Sequence, residues 1–99
     1  MTDPGGRGRG GWPAYVEQMP AAAMEAMPRP LHTAVARFIR ALAIEAGAAI
    51  DAGKEPPGSS VGAHDHRYLI HIPGEPIVIE YTVHRDLREL RIPVLVWIH

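Results

Sequence analysis

Apolar and polar residues alternate along two neighbouring segments in the C-terminal half of the chain. The segments are residues 67–72 and 77–84, and the turn-forming residues "PGEP" separate them. A period of two predicts strands, and the short turn predicts that they pair as a hairpin. If Ile72 lies opposite Ile77, one face of the hairpin is apolar and buried. Its side chains are Tyr68, Ile70, Ile72, Ile77, Ile79, Tyr81 and Val83.

A different spacing governs the middle of the chain, where apolar residues recur every three or four positions from residue 31 to 46. This spacing predicts an amphipathic helix. Pro30 suits the first turn of that helix, and Gly47 or Gly53 is expected to end it. The segment 53–63, "GKEPPGSSVGA", is a loop by composition. The apolar positions of the helix are Leu31, Val35, Phe38, Ile39, Leu42 and Ala46.

The remaining segments complete an α+β pattern. Residues 12–19, "WPAYVEQM", predict a short first strand anchored by Tyr15 and Val16, and residues 20–27, "PAAAMEAM", predict a short helix. Residues 91–99, "RIPVLVWIH", predict a last strand in which Pro93 lies near the start or at an irregularity. We therefore expect two N-terminal helices packed on a small, mostly antiparallel twisted sheet.

Composition narrows the classes of function. The 99 residues, 46% of them hydrophobic, fit a single domain over 12–99, preceded by a disordered Gly/Arg-rich tail over 1–11. The absence of cysteine excludes thiolate chemistry, and a net charge of -1 disfavours diffuse binding to nucleic acid. No apolar run is long enough for a membrane span or a signal peptide, so we expect a cytoplasmic protein without a membrane partner.

Candidate chemistry lies on the other face of the hairpin. In the predicted register Glu80 faces Leu69 and is diagonal to both Arg67 and His71. Arg67 and Glu80 form either a surface ion pair or a cation beside a general base. His71 is either a solvated side chain or an acid or base.

Three further positions have chemical potential. His99 places an imidazole beside the terminal carboxylate, and Trp97, expected on the polar face, either stacks on a base or packs against the core or a partner. His64 and His66 share a face in an extended segment, but the pattern defines no third ligand. No metal or cofactor is therefore predicted.

Three stretches together resemble a known family. They are "AYVEQMPAAAMEAMPRPLHTAVARFIRALA", "RYLIHIPGEPIVIEYTV" and "VLVWIH", and they span nearly all of residues 12–99. In their order they resemble the opening strand and helical pair, the basic hairpin and the last strand of the RelE/ParE superfamily. Its members are toxins of bacterial type II toxin-antitoxin systems.

The resemblance implies a metal-independent mRNA endoribonuclease that acts on the ribosome and inhibits translation. Active members use basic side chains, sometimes with a Glu and a C-terminal His, on the exposed sheet. Arg67 resembles the basic residue of the first hairpin strand, and His99 resembles the terminal His. Glu80 is the candidate base, and His71 lies near it.

The resemblance also leaves an alternative open. Active nucleases usually carry an Arg where this chain has Val78, and lysines where it has Leu69 and His71. These departures fit a non-catalytic inhibitor that binds DNA gyrase, or a degenerate protein-binding module. In either case the family implies a cognate antitoxin as partner, and Met24 and Met27 either pack between helices or line its groove.

Overall fold

The computed structural model describes residues 11–62 and 66–98, which form an α+β fold with two helices and five strands. This confirms the predicted α+β class with two helices and a mostly antiparallel sheet. The predicted tail over 1–11 lies outside the described residues except for Gly11. In chain order the elements are β1 (Ala14–Val16), α1 (Gln18–Glu25), α2 (Arg29–Asp51), β2 (Ser59–Ser60), β3 (Arg67–His71), β4 (Ile77–His84) and β5 (Glu89–Trp97).

The strands form one open sheet in the order β1-β5-β4-β3-β2. Only β1 and β5 are parallel, and the other neighbours are antiparallel. The predicted hairpin register is confirmed, since Tyr68 pairs with Tyr81 and Ile70 with Ile79. The two-residue β2 falls within the segment predicted as a loop, because so short a strand leaves no alternating pattern in the sequence.

Helix α2 covers one face of the sheet with the predicted apolar stripe. Val35, Ile39, Leu42 and Ala46 are buried in one core with the tyrosines and isoleucines of the hairpin, and Phe38 packs against it. Pro30 lies in the first turn, as expected. Although α2 runs for 23 residues, no helix in the described ranges has the length and apolarity to cross a membrane.

Gly47 and Gly53 were the two candidates for the end of α2, and they have different roles in the structure. Gly53 follows the last turn with φ at 74°, a left-handed conformation that favours glycine. Its N–H donates to the carbonyl of Ile50, and that of Lys54 donates to the carbonyl of Ala49. The helix ends at Asp51, and Gly53, one of the two predicted glycines, terminates it, whereas Gly47 lies inside the helix and serves the packing of Trp12.

Trp12, rather than Tyr15, anchors the first strand. Trp12 is 4% exposed, whereas Tyr15 is 53% exposed, so the prediction of Tyr15 as an anchor is wrong. A Cβ placed on Gly47 would lie 2.5 Å from Cδ1 of Trp12, so only glycine leaves room for the indole. The physical reason is that Trp12 precedes the strand and turns over α2, while Tyr15 points to the other side of the sheet.

Polar contacts hold the indole in place from two more directions. Its Nε1–H donates to Oδ1 of Asp51 over 3.2 Å. The guanidinium carbon of Arg88, in the β4–β5 turn, lies 5.0 Å from the ring centroid. Arg88 also donates to both oxygens of Asp51 at 2.9 and 3.1 Å. Trp12 thereby joins the start of β1 to the end of α2 and to the β4–β5 turn.

Two stacked tyrosines fix the loop that follows α2. The rings of Tyr68 and Tyr81 lie on the helix side of the sheet with centroids 5.4 Å apart. The Tyr68 hydroxyl donates to Glu55 at 3.4 Å, and the Tyr81 hydroxyl donates to the carbonyl of Pro57. Burial, together with the neighbouring Tyr68, raises the pKa of Tyr81 well above its ordinary value. The loop is therefore attached to the core at two points.

Candidate functional site

The face of the sheet opposite α2, here called the open face, carries the predicted site. Along β4 every second side chain is buried under the helices, and the alternate ones point to the opposite side. No helix in the described part of the chain packs on this side. The side chains of the open face on β1, β3, β4 and β5 are Tyr15, Arg67, Leu69, His71, Val78, Glu80, Thr82, His84, Glu89, Arg91, Val94 and Val96.

Arg67 and Glu80 contact each other as the register predicts. Leu69 lies opposite Glu80, which leaves Arg67 on the diagonal. Nε of Arg67 donates to Oε2 at 3.1 Å, and Nη2 donates to Oε1 at 3.3 Å. This two-point geometry occupies both carboxylate oxygens, so each charge is neutralised by the other. The contact uses two of the five N–H donors of Arg67 and one lone pair on each oxygen of Glu80, so further contacts remain open to both groups.

His71 lies on the same face but outside the ion pair. It is exposed and pairs across the strands with Val78. Among the described residues no hydrogen bond joins it to Arg67 or Glu80. Of the predicted catalytic residues on the hairpin, the structure brings two into direct contact and leaves the third beside an aliphatic neighbour.

Trp97 lies on the helix side of the sheet, so its predicted place on the polar face is wrong. It pairs with Ile77, whose side chain is fully buried, and it packs against the core. The cause is a bulge in β5, where two residues, Ile92 and Pro93, lie opposite Tyr81. A shift of one residue transfers every later side chain to the other face. The expected irregularity at Pro93 is confirmed.

A polar row at one end of the open face was not predicted. Tyr15, Arg91, Thr82 and Arg67 are successive cross-strand partners on β1, β5, β4 and β3. Nε of Arg91 donates to Glu89 at 2.7 Å, and Oγ1 of Thr82 lies 2.9 Å from Nε2 of His84. The i, i+2 spacing of Glu89 and Arg91 on a strand was the available signal. Both strand arginines of the open face are thus paired with carboxylates.

The other end of the open face carries exposed aliphatic side chains beside Glu80 and His71. Leu69, Val94 and Val96 are 38%, 41% and 48% exposed and lie around Glu80 and Val78 in adjacent strands. We call Leu69, Val78, Val94 and Val96 the apolar patch. Single exposed aliphatic residues are common on protein surfaces, but a contiguous group rimmed by polar residues is typical of an interaction site.

Two of the predicted features lie outside the described residues, namely His99 and the His64 end of the "HDH" segment. The site is therefore defined by the open face, with the Arg67–Glu80 pair at its middle and the apolar patch beside it. Comparison with protein-family models, with curated proteins and with solved structures finds no match to this chain.

Proposed function

We propose that this protein acts by binding another protein through the apolar patch of the open face, in a toxin-antitoxin pair of the kind that the family resemblance implies. The observation that carries the proposal is the exposure of Leu69, Val94 and Val96 around Val78 on an uncovered sheet face, with Glu80 between Leu69 and Val94. The neutralised Arg67 beside them supports the same reading. A protein partner needs apolar contact area and a satisfied polar rim, and both are present.

The energetics favour a protein over a polyphosphate. Complete burial of an aliphatic side chain contributes about 1.5–3 kcal/mol, and Leu69, Val94 and Val96 are 38–48% exposed, so each offers a partner less than half of that amount. Affinity for a polyphosphate instead grows with the number of phosphates that cations neutralise, and a carboxylate beside a cation opposes this. Arg67 and Arg91 are each held by a glutamate, and the net charge of the chain is -1.

The partner proposed for this face is an amphipathic helix of a small antitoxin. β4, at the centre of the patch, is paired on both sides, by β3 and by β5, so a partner that covers Val78 and its neighbours contacts side chains on the face of the sheet. A helix is the element that packs on the face of a sheet, and α2 already does so on the opposite side. By the same resemblance, DNA gyrase is the proposed cellular target.

The second candidate function is a ribosome-dependent mRNA endonuclease that inhibits translation. The specific observation in its favour is the 3.1 Å contact between Arg67 and Glu80, which places a cation and a carboxylate together on an exposed sheet. Such a reaction requires a base for the ribose 2′-hydroxyl and a cation for the phosphate. Arg67 and Glu80 would contact mRNA through the donors and lone pairs that their ion pair leaves open, and His71 would complete the site.

Co-expression tests the first candidate. The chain is produced with the product of the neighbouring short reading frame, and we expect the two proteins to purify as a complex. Val94→Asp is expected to abolish the complex, since it places an unpaired charge in the patch. Leu87→Asp is the matched control, because Leu87 is also an exposed aliphatic residue but lies in the β4–β5 turn. No complex with such a product, or a complex indifferent to Val94→Asp, contradicts the proposal.

A further inference from the structure

A second surface lies on the opposite side of the molecule from the open face. A groove of about 450 Å³ runs between the segment that leads into β1 and helix α2. Trp12 and Ala14 line one wall, and Ile39, Ala43 and Ile44 line the other. Arg40 is the charged residue among the described residues that line the groove. The groove is therefore apolar with a single cation beside it.

The groove is continuous with an unpaired strand edge. β1 is the outermost strand of the described sheet, and β5 is its neighbour on the inner side. The N–H of Leu90 donates to the carbonyl of Pro13, and the N–H of Glu17 donates to the carbonyl of Ile92. In a parallel pair alternate residues point to opposite sides, so the backbone groups of Ala14 and Val16 point outward. Ala14 thus belongs both to the groove and to the outward-facing edge.

We propose that this edge and groove together bind an extended peptide segment that carries an apolar side chain next to an acidic one. The segment adds a strand to β1 by hydrogen bonding to the outward backbone groups of Ala14 and Val16. Its apolar side chain enters the groove against Trp12 and Ile44. Its carboxylate pairs with Arg40.

Charge and shape both select this occupant. Arg40 is exposed in the lining of the groove, so its charge favours an acidic side chain on the bound segment. The small side chains of Ala14 and Ala43 allow a backbone to approach closely. A helix would fill the groove but would leave the outward groups of the β1 edge unpaired, whereas a strand satisfies them.

This surface is separate from the apolar patch, because α2 forms a wall of the groove on the helix side of the sheet, whereas the patch lies on the open face. An experiment can therefore contradict the proposal for the apolar patch without contradicting the proposal for the groove, and the reverse. Loss of antitoxin binding in Val94→Asp concerns the open face alone, whereas the variants below concern the edge of β1 and the groove alone.

The test selects random linear peptides displayed on phage against the immobilised full chain. We expect the selected peptides to alternate apolar and acidic residues, and we expect Arg40→Glu to weaken their binding by about tenfold or more. Arg37→Glu is the matched control, with the same charge change outside the groove lining, and is expected to have a much smaller effect. Ala14→Pro removes one outward N–H, a change that an edge strand tolerates, and is also expected to weaken binding.

Hydrogen exchange of the unsubstituted protein gives a readout that does not depend on how the variants fold. A bound strand protects the amides of Ala14 and Val16, while that of Tyr15, which points toward β5, changes little. The proposal is overturned if no selected peptide protects these two amides. It is also overturned if the selected peptides bind Arg40→Glu as well as the unsubstituted chain, or if Val94→Asp rather than Arg40→Glu removes their binding.

Discussion

Arg67 and Glu80 bind each other through two hydrogen bonds, at 3.1 and 3.3 Å, across the diagonal of the β3–β4 pair. The same contact is the predicted catalytic core of a nuclease and an ordinary cross-strand ion pair. The contribution of the pair to stability does not tell these two roles apart, because partly exposed ion pairs contribute about 0–1 kcal/mol whether or not they also have a function. Its effect on activity is what separates the two.

A double-mutant cycle measures the strength of this pair. Arg67→Met, Glu80→Gln and the double variant are compared by urea denaturation. We expect a coupling free energy of about 0.2–1 kcal/mol, because Arg67 remains partly open to solvent. A coupling above about 2 kcal/mol would show that the pair is a major structural element, and the open face would then not tolerate its separation.

Gly47→Ala tests the packing of Trp12. Alanine normally stabilises a helix interior relative to glycine by about 1 kcal/mol. Here the added Cβ would meet three atoms of the Trp12 side chain at 2.5–2.9 Å, so we expect destabilisation by about 1–3 kcal/mol. The exposed Ala41→Gly provides the control for helix propensity alone and should lower stability by about 0.5–1 kcal/mol.

If this explanation is right, the destabilisation by Gly47→Ala depends on the indole of Trp12. In a Trp12→Leu background, Gly47→Ala should lose most of its penalty, because the shorter side chain can move away from the new Cβ. If Gly47→Ala is stabilising in the unsubstituted chain, or equally harmful in both backgrounds, the close contact between residues 12 and 47 is not the reason for the glycine.

Asp51→Asn tests the polar contacts around the indole through pH. The hydrogen bond from Arg88, followed by the one from Trp12, lowers the pKa of Asp51 in the folded protein. The unfolded chain then takes up a proton first as the pH falls, near an ordinary value of about 3.9. The stabilisation is therefore present above that pH and is lost as the pH falls through the lower folded pKa.

We expect the difference in unfolding free energy between the unsubstituted chain and Asp51→Asn to be largest near neutral pH and to shrink in acid. Chemical denaturation across this pH range measures it. Asp86→Asn, an exposed carboxyl change in the β4–β5 turn, serves as the control. An Asp51→Asn difference that stays constant from neutral to acidic pH would contradict the contact with Arg88.

Tyr81→Phe tests the attachment of the loop after α2. Removing the hydroxyl leaves the Pro57 carbonyl without its partner, and we expect a loss of about 1 kcal/mol of stability. Because burial raises the pKa of Tyr81, the unfolded chain ionises first in alkali, so this tyrosine lowers stability as the pH rises above its ordinary value. The phenylalanine variant should lose less stability in alkali than the unsubstituted chain, and an identical alkaline loss would argue against a buried hydroxyl.

The hairpin and the long helix were predictable because a period of two or of 3.6 residues is written directly in their side chains. The pairing of Tyr68 with Tyr81 followed from the turn alone. The role of Trp12 was not predictable, because its partners Gly47, Asp51 and Arg88 are distant in sequence and share no periodic signal.

The candidate site also has a part that the sequence predicts and a part that it does not. Arg67 and Glu80 were brought together by the hairpin register, which local turn geometry sets. The apolar patch includes Val94 and Val96, whose face is set by the bulge opposite Tyr81, whereas the polar row lies on the turn side of that bulge. Pro93 indicated an irregularity, but the number of residues it inserts was not visible in the sequence, so Trp97 was assigned to the wrong face.

The most direct test of the central claim is to induce the chain in bacteria and map mRNA 5′ ends alongside DNA supercoiling. The unsubstituted chain is compared with three variants: Arg67→Ala, Val94→Asp and Leu87→Asp. Binding of a protein target through the open face predicts growth arrest with intact mRNA and altered supercoiling, lost in Val94→Asp and retained in Arg67→Ala and Leu87→Asp. Ribosome-phased mRNA cleavage that Arg67→Ala abolishes would contradict this claim and identify the endonuclease instead.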